Sequence, residues 1–265
     1  MNLELISRKP DAESYKTPLL FVHGAWHAAW CWDDHFLSYF TANGFTVHAL
    51  SFRNHGNSQS KGSLRWRSGA ECVADVAQIV EQLGTAPVLI GHSLGGYVVQ
   101  KYLEKSTVPA AVLLASVPSR GGLGATIRIA GRHPVAFLKT NLQLRLWPLV
   151  ETRALAHEAF FSSSMSAEQV EAYFLKIQDE SYRAFLDLLA LNLPRPSKNT
   201  KVPMLVLGGA DDKIFTPNEV RATARTYKAD LEIFPNMAHD MMLEAGWQKV
   251  ADRIIAWLRS KVAIC

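Results

Sequence analysis

Residues 88–99 read Val-Leu-Ile-Gly-His-Ser-Leu-Gly-Gly-Tyr-Val-Val, and this stretch decides the fold. An apolar run typical of a buried strand leads into Gly-x-Ser-x-Gly, and a helical apolar pattern follows at once. This context predicts a nucleophile elbow, which is a tight strand-to-helix turn with Ser93 at its corner. Gly91 and Gly95 flank the serine because only small residues fit beside a strained corner. Ser93 would then lie at the positive end of the following helix with its hydroxyl accessible.

Short apolar runs alternate with longer amphipathic ones along the chain. The runs predict strands at Leu3–Ser7, Leu19–His23, Phe45–Leu50, Pro87–Gly91, Ala111–Ala115, Met204–Gly208 and Leu231–Phe234. Helical spacing predicts helices at about Trp32–Ala42, Arg67–Leu83, Leu94–Lys105, Pro217–Tyr227 and Trp247–Val262. Strands that are apolar on both faces indicate a mostly parallel sheet that is covered on both sides. The sequence therefore predicts an α/β fold with a doubly wound, mostly parallel sheet.

The alternation stops between residues 118 and 200, where the pattern is helical throughout. Helix breakers divide this segment at Gly121-Gly122, Gly131, Pro134 and Pro148. We interpret it as a helical cap, or lid, inserted after the sixth strand of the sheet. Such a cap would cover the edge at which open α/β sheets hold their ligands. Residues 1–117 and 201–265 then form the core domain, and residues 118–200 form the cap.

A serine hydroxyl is a weak nucleophile, so Ser93 needs a base and a group that orients this base. His239 follows the last predicted strand and is the candidate base; the alternative is an ordinary loop histidine. The preceding strand ends in the pair Asp211-Asp212. We favour Asp212 as the orienting carboxylate because it lies one residue further past the strand, while Asp211 would cap the turn. Asp240 is expected to be solvated or paired with a cation.

A site of this kind also needs N–H groups that stabilise a developing oxyanion. The backbone N–H of Leu94, at the start of the helix that follows the elbow, is one candidate. The N–H of Ala25 is the second, because Gly24 before it permits a tight turn after the second strand. We expect His23 to fix this turn and His92 to be structural.

The chain resembles the α/β-hydrolase superfamily over nearly its whole length. The resemblance rests on the elbow at Ser93, on Asp212 and His239, and on residues 21–32, which read Phe-Val-His-Gly-Ala-Trp-His-Ala-Ala-Trp-Cys-Trp. The last motif is most similar to the branch that contains serine esterases and hydroxynitrile lyases. The lyases of this branch usually carry a polar side chain at the position that Gly24 occupies. The resemblance therefore implies an ester hydrolase that needs no cofactor.

The composition excludes several other classes of protein. The chain has 265 residues, 48% of them hydrophobic and 20% charged, with a formal net charge of +4. These values are ordinary for a soluble globular protein, and no basic block is interleaved with aromatic residues, so we expect no nucleic-acid partner. The histidines are scattered without metal-ligand spacing, and no glycine-rich nucleotide motif occurs. The sequence thus predicts no metal and no cofactor.

The N-terminus and the cysteines indicate a cytoplasmic location. The first ten residues lack the apolar segment of a secretory leader, and no run of about 18 apolar residues could form a membrane-spanning helix. The three cysteines, Cys31, Cys72 and Cys265, are far apart and odd in number. This usage favours reduced thiols over a disulfide framework.

Residues 118–150 leave two arrangements open. They contain no acidic residue and five basic ones, namely Arg120, Arg128, Arg132, Lys139 and Arg145, with aliphatic and aromatic residues between them. In the first arrangement the segment transiently touches an anionic lipid surface or admits an acyl chain. In the second, its apolar side packs inward and its cationic side is solvated.

The sequence therefore predicts a serine hydrolase that uses Ser93, His239 and Asp212 and forms an acyl-enzyme. Its partner would be a small-to-medium carboxylic ester with an apolar acyl or alcohol moiety. The alternatives are a lysophospholipase or monoacylglycerol-type lipase, a hydrolase of a carbon–carbon bond in a ring-cleavage product, and a ligand receptor on the same scaffold. The sequence does not indicate the oligomeric state.

Overall fold

A single seven-stranded sheet organises the protein, whose computed structural model describes residues 2–11, 15–196 and 202–261. The strands are β1 (Leu5–Arg8), β2 (Tyr15–Val22), β3 (Phe45–Leu50), β4 (Val88–His92), β5 (Ala111–Leu114), β6 (Met204–Gly209) and β7 (Asp230–Phe234). Their order in the sheet is β1-β3-β2-β4-β5-β6-β7. The β1 strand pairs antiparallel with β3, and every other pairing is parallel. The predicted α/β fold with a mostly parallel sheet is confirmed.

Eleven α-helices occur in the described residues. They are α1 (Trp30–Asp33), α2 (Phe36–Ala42), α3 (Gly69–Leu83), α4 (Leu94–Tyr102), α5 (Leu123–Arg132), α6 (Pro134–Gln143), α7 (Arg153–Phe160), α8 (Ala167–Phe174), α9 (Tyr182–Leu186), α10 (Pro217–Tyr227) and α11 (Trp247–Lys261). Short 3₁₀ segments lie at Leu64–Trp66 and Trp147–Leu149, and a π-helical turn lies at Asp187–Leu191. In the part of the chain that is described, no helix is both long and apolar enough to span a bilayer.

Local capping explains where the helices differ from the prediction. The α3 helix begins at Gly69 because Ser68 caps it: its side chain accepts the N–H of Glu71, whose carboxylate in turn accepts the N–H of Ser68. The helix predicted at Trp32–Ala42 is two helices, α1 and α2, separated at Asp34 and His35. The end of the last predicted helix, at Val262, lies outside the described residues.

The central strands form the core. Every residue of β4, β5 and β6 is buried, so helices and loops cover both faces of the sheet there. The edge strand β7 is more open, and its first two residues are exposed. Cys31 and Cys72 lie in this core as free thiols, and Cys265 lies outside the described residues.

Five of the helices, α5 to α9, lie between β5 and β6. The helical segment predicted at residues 118–200 therefore follows the fifth strand, not the sixth as predicted. The described chain has seven strands in all, and only β6 and β7 come after this segment. Residues 197–200 lie outside the described residues.

The close approach of α4 to β2 requires glycine at position 95. A methyl group on Gly95 would clash with the backbone carbonyl oxygens of Val22 and His23, at the end of β2. These atoms belong to rigid backbone, so the clash cannot be relieved by a side-chain rotation. Gly95 thus lets the start of α4 lie directly against the loop that follows β2.

We expect Gly95→Ala to lower the free energy of unfolding by about 1–3 kcal/mol, because it overpacks a rigid contact. Gly131→Ala is the matched control: Gly131 lies in α5, and a methyl group there meets no atom within 4 Å. The control variant should be as stable as the parent or more stable by up to about 1 kcal/mol. Urea unfolding followed by tryptophan fluorescence measures both, and equal stabilities of the two variants would contradict this account of the contact.

Candidate active site

Ser93 occupies a strained corner between β4 and α4, as the motif predicts. Its backbone has φ 51° and ψ −113°, in a region that residues other than glycine rarely adopt. Hydrogen bonds hold the strain in place: the Ser93 N–H donates to Leu114 O at 3.0 Å, and Ser93 O accepts the N–H groups of Tyr97 and Val117 at 3.2 and 3.1 Å. The backbone of Ser93 is therefore tied to both the sheet and α4.

Asp212 and His239 form a buried hydrogen-bonded pair. The distance from His239 Nδ1 to Asp212 Oδ2 is 2.8 Å, and both residues are buried. The other carboxylate oxygen of Asp212 accepts the N–H groups of Ile214 and Phe215 at 2.7 and 3.0 Å. Asp211 is exposed and donates its backbone N–H to Met237 O. Of the two neighbouring aspartates, the one that contacts the histidine is therefore Asp212.

Ser93 is connected to this pair through its neighbour in sequence, His92. The His92 Nε2–H donates to His239 O at 3.0 Å, and the two imidazole rings are 4.8 Å apart. Within the described residues, no hydrogen bond joins Ser93 Oγ to His239. The structure thus brings His239 and Asp212 together and joins His239 to His92, the residue before Ser93. Hydrogen bonds between a nucleophile and its base are often loose before substrate binds.

His92 is neutral and structural in this arrangement. Burial, followed by the neighbouring His239, lowers the pKa of His92 to about 3. A methyl group on Gly24 would lie 2.6 Å from His92 Nδ1 and 3.0 Å from Ser93 Cβ. The loop after β2 can therefore contact the elbow only because residue 24 is a glycine. This steric reason is separate from the tight turn for which the sequence suggested Gly24.

His23 sets the direction of the Ala25 N–H. The His23 Nδ1–H donates to Gly24 O at 2.8 Å, and His23 Nε2 accepts the N–H of Phe52 at 3.0 Å. Because the C=O and N–H of a trans peptide point in opposite directions, holding Gly24 O also orients the Ala25 N–H. Burial, followed by the neighbouring His55, lowers the pKa of His23, so that His23 stays neutral.

Two backbone N–H groups near Ser93 remain free to bind an anion. The Leu94 N–H belongs to the first residue of α4, which has no acceptor inside the helix. For the Ala25 N–H, no acceptor exists among the described residues. Both residues line the same cavity as Ser93.

This cavity, which we call the Ser93 cavity, encloses roughly 560 Å³, part of it open to solvent. More than half of its lining comes from the helical segment between β5 and β6. No charged side chain lines it, and its lining residues are Ala25, Trp26, Ser93, Leu94, Val117, Gly122, Ala125, Thr126, Ile129, Leu146, Leu149, Phe185, Leu188, Ile214 and Phe215. Trp26 contacts this cavity, whereas Trp30 packs on Tyr173 and His27.

Sequence reasoning missed Glu180. This residue lies in the helical segment between β5 and β6, and it binds the loop after β2. Its carboxylate is buried, accepts the Trp26 N–H at 3.3 Å and lies 3.1 Å from His55 Nε2. The Gln178 N–H donates to Trp26 O at 2.9 Å, so both backbone polar groups of Trp26 are bound. Trp26 has φ 64°, and these bonds hold it there. No local pattern could have revealed Glu180, because its partners are distant in sequence.

Asp240 is buried and paired with His27, which is the second of the two arrangements expected for it. Its carboxylate lies 2.9 Å from His27 Nε2 and 3.6 Å from His92 Nε2. Among the described residues, His92, His239 and Asp240 form the one group with suitable ligand atoms for a metal, all within 4.8 Å of one another. Two of these side chains are already engaged, since His92 Nε2–H binds His239 O and Asp240 pairs with His27.

Comparison with known proteins identifies the family. The model of the alpha/beta hydrolase family matches residues 19–253, and the chain belongs to this family. A curated relative, the sn-1-specific diacylglycerol lipase ABHD11 of Danio rerio, is 24% identical over 243 residues, which cover 86% of this chain and 74% of the relative.

Solved structures share the fold over almost the whole chain. An esterase from Thermogutta terrifontis has a TM-score of 0.75 at 22% identity and covers 98% of this chain and 95% of its own. The monoacylglycerol lipase of Paleococcus ferrophilus also has a TM-score of 0.75, at 20% identity, and covers 98% of this chain and 100% of its own. The putative non-heme bromoperoxidase BpoC of Mycobacterium tuberculosis has a TM-score of 0.79 at 21% identity, covering 99% and 97%.

Proposed function

We propose that this protein is a serine hydrolase that cleaves small-to-medium carboxylic esters with an apolar acyl or alcohol moiety. One observation carries the proposal: the hydrogen-bonded pair of His239 and Asp212 is connected through His92 to a strained Ser93 that opens onto an apolar cavity. We assign Ser93 as nucleophile, His239 as general base and acid, and Asp212 as the group that orients His239.

The reaction proceeds in two steps through an acyl-enzyme. Ser93 Oγ attacks the ester carbonyl while its proton passes to His239 Nε2, and the Ala25 and Leu94 N–H groups bind the oxyanion. Asp212 accepts the His239 Nδ1–H and stabilises the imidazolium that forms. His239 then protonates the departing alcohol, and a water molecule activated by His239 releases the acid and restores Ser93.

The cavity supports an uncharged, apolar substrate. A carboxylate or phosphate bound inside it would lack a neutralising side chain, and burying an unpaired charge is costly. Two proteins that this chain is similar to are named a diacylglycerol lipase and a monoacylglycerol lipase, and such enzymes act on acyl esters of this kind. We therefore prefer a neutral acyl ester, with acylglycerols as the narrower candidate, and we treat residues 118–200 as a cap over the core of residues 1–117 and 201–265.

Asp212→Asn should reduce kcat for p-nitrophenyl butyrate by on the order of 10³–10⁴-fold, because His239 loses the partner that fixes its tautomer. Asp211→Asn is the matched control. It removes a carboxylate charge from the neighbouring residue, whose side chain does not contact His239. We expect it to change kcat by less than about twofold, as for an ordinary surface substitution. Similar losses in the two variants would contradict the role assigned to Asp212.

Lengthening the acyl chain should raise kcat/KM by about fourfold for each methylene that enters the cavity, until the cavity is full. A series of p-nitrophenyl esters from acetate to decanoate measures this dependence. Ala125→Leu, which fills part of the cavity from α5, should shift the optimum to shorter chains. Ala130 is on the same helix but does not line the cavity, so Ala130→Leu should leave the optimal chain length unchanged. If acetate were the best substrate of the parent protein, the Ser93 cavity would not be the acyl site.

The outer side of α5 and α6 carries ion-paired basic residues and exposed aliphatic side chains. Four of the five basic residues are ion-paired, in the pairs Arg128–Glu219, Arg132–Glu158, Lys139–Glu151 and Arg145–Asp179. Five large aliphatic side chains are exposed on the same two helices: Leu123 and Ile127 one turn apart on α5, and Val135, Leu138 and Leu142 on one side of α6. This set, which we call the aliphatic cap surface, is therefore apolar, and the charges around it are largely neutralised.

We propose that the aliphatic cap surface contacts uncharged or zwitterionic lipid in which an acyl ester substrate is dissolved. The α5 helix supports this, because its inner residues Ala125, Thr126 and Ile129 line the Ser93 cavity while its outer residues Leu123 and Ile127 are exposed. A lipid surface touching α5 would thus lie close to the substrate cavity.

Ile127→Ser and Leu138→Ser should each weaken binding to pure phosphatidylcholine vesicles, by about tenfold if one aliphatic side chain is inserted. Leu175→Ser is the matched control, since Leu175 is at least as exposed as Ile127 and Leu138 but lies after α8. Vesicle sedimentation measures the binding. Adding phosphatidylserine should change the affinity little, and binding that depends on the anionic lipid would contradict a neutral contact surface.

A further inference from the structure

A second histidine–carboxylate pair lies behind the proposed oxyanion site and has no role in the mechanism given above. It consists of Asp240, which follows His239 directly, and His27, which follows the loop that carries Ala25. Both side chains are almost completely buried, and His27 Nε2 lies 2.9 Å from Asp240 Oδ2. Neither carboxylate oxygen of Asp240 makes a well-aligned hydrogen bond to any described residue. The carboxylate is therefore held mainly by the charge opposite it.

The surroundings of His27 favour its protonated form, the imidazolium. Its Nδ1 lies 2.7 Å from Ala25 O, and since a carbonyl only accepts, this nitrogen carries a hydrogen. Its other nitrogen faces the carboxylate. Burial is the largest single influence on the pKa of His27 and lowers it, but the Asp240 carboxylate, Ala25 O and Glu180 together more than offset burial, so that the net shift of the pKa is upward. Besides these two acids, His23 and His92 are the titratable groups that face His27.

His27 and His23 hold the peptide groups on the two sides of Ala25. The His27 Nδ1–H holds Ala25 O, and the His23 Nδ1–H holds Gly24 O at 2.8 Å. With both carbonyl oxygens bound, the backbone of Ala25 cannot rotate, and its N–H keeps one direction. His23 can hold Gly24 O as a neutral imidazole, whereas His27 is held in place by its pairing with Asp240.

Asp240 also belongs to the segment that carries the base. Its own N–H donates to Phe160 O at 2.9 Å, and its carboxylate lies 3.6 Å from His92 Nε2, the nitrogen that holds His239 O. One buried negative charge thus lies between the loop of Ala25, the elbow and the loop of His239. A charge buried in this way is costly unless its partners are fixed.

We propose that Asp240 is a positioning residue, whose carboxylate keeps His27 charged and in place so that the Ala25 N–H remains directed at the substrate oxyanion. The proposal rests on the hydrolase function proposed above. It assigns to the residue after the proposed general base a task in the oxyanion hole.

Asp240→Asn tests this proposal, because it preserves the shape of the side chain and removes its charge. The loss of one oxyanion donor lowers kcat by about 10²–10³-fold, and we expect a loss approaching this range with KM changed by less than about threefold. The affinity for a trifluoromethyl ketone, which mimics the tetrahedral oxyanion, should fall by the same factor as kcat. A role confined to stability would leave kcat and this affinity unchanged in the folded variant.

Two further variants separate positioning from general destabilisation. Asp75→Asn removes another fully buried carboxylate, one that pairs with Arg53 outside the site, and it should lower stability without changing kcat. His27→Gln should reproduce the kinetic effect of Asp240→Asn, and the double variant should lose no more than either single one. If Asp240→Asn fails to fold, His27→Gln carries the same kinetic test alone.

Nitrogen NMR of the His27 ring gives a readout that does not need enzymatic activity. At neutral pH the ring should carry two N–H protons in the parent protein and one in Asp240→Asn. This result in a protein without esterase activity would refute the proposed function and leave the His27–Asp240 pair standing. Unchanged kinetics and analogue affinity in Asp240→Asn, or an equal loss in Asp75→Asn, would overturn the positioning role.

Discussion

The left-handed backbone of Ser93 is the constraint on which the rest of the site depends. A non-glycine residue in such a conformation costs about 1–3 kcal/mol and persists only where its surroundings hold it. Here the N–H of Ser93 is bound to Leu114 O, and its carbonyl is bound by two N–H groups, one from α4 and one from the chain after β5. The strain therefore belongs to the junction of sheet and helix, and it turns the side chain toward the Ser93 cavity.

The loop after β2 is the second part of the site, and it is held by its own residues and by side chains from two distant parts of the chain. Gly24 lets it contact His92 and Ser93, and His23 fixes the peptide before Ala25. Glu180 binds the N–H of Trp26 from the helical segment, while Asp240 faces His27 from the loop of the proposed base. The direction of a single N–H group thus depends on contacts from the helical segment between β5 and β6 and from the loop after β7. This explains why buried charges are retained in a region where an apolar core would be simpler to pack.

The sequence predicts the local elements well, because their signals are local. Continuous apolar runs locate six of the seven strands to within a residue or two at most of their ends, and only β2 begins clearly earlier, at Tyr15 in place of Leu19. The Gly-x-Ser-x-Gly motif predicts the conformation of Ser93. The preference for Asp212 over Asp211 agrees with the hydrogen bond between Asp212 and His239. The two aspartates are adjacent after β6, and only the second of them turns its side chain inward.

What the sequence does not predict depends on contacts between distant residues. Nothing around Asp240 or Glu180 distinguishes a buried carboxylate from a solvated one, since their histidine partners lie in other segments. Helical periodicity gives the same pattern for an aliphatic stripe that faces a core and for one that faces outward. The exposure of Ile127 and Leu138, and the acids that neutralise the neighbouring basic residues, therefore emerge only from the tertiary structure.

The most direct test of the central claim is the identity of the residue that an alkyl fluorophosphonate modifies. Only an activated serine reacts with this reagent, and peptide mass spectrometry locates the adduct. The account predicts one adduct, on Ser93, with simultaneous loss of hydrolysis of p-nitrophenyl butyrate, and no labelling of a folded Ser93→Ala variant. An adduct on another residue, or hydrolysis that persists in Ser93→Ala at the parent rate, would contradict it.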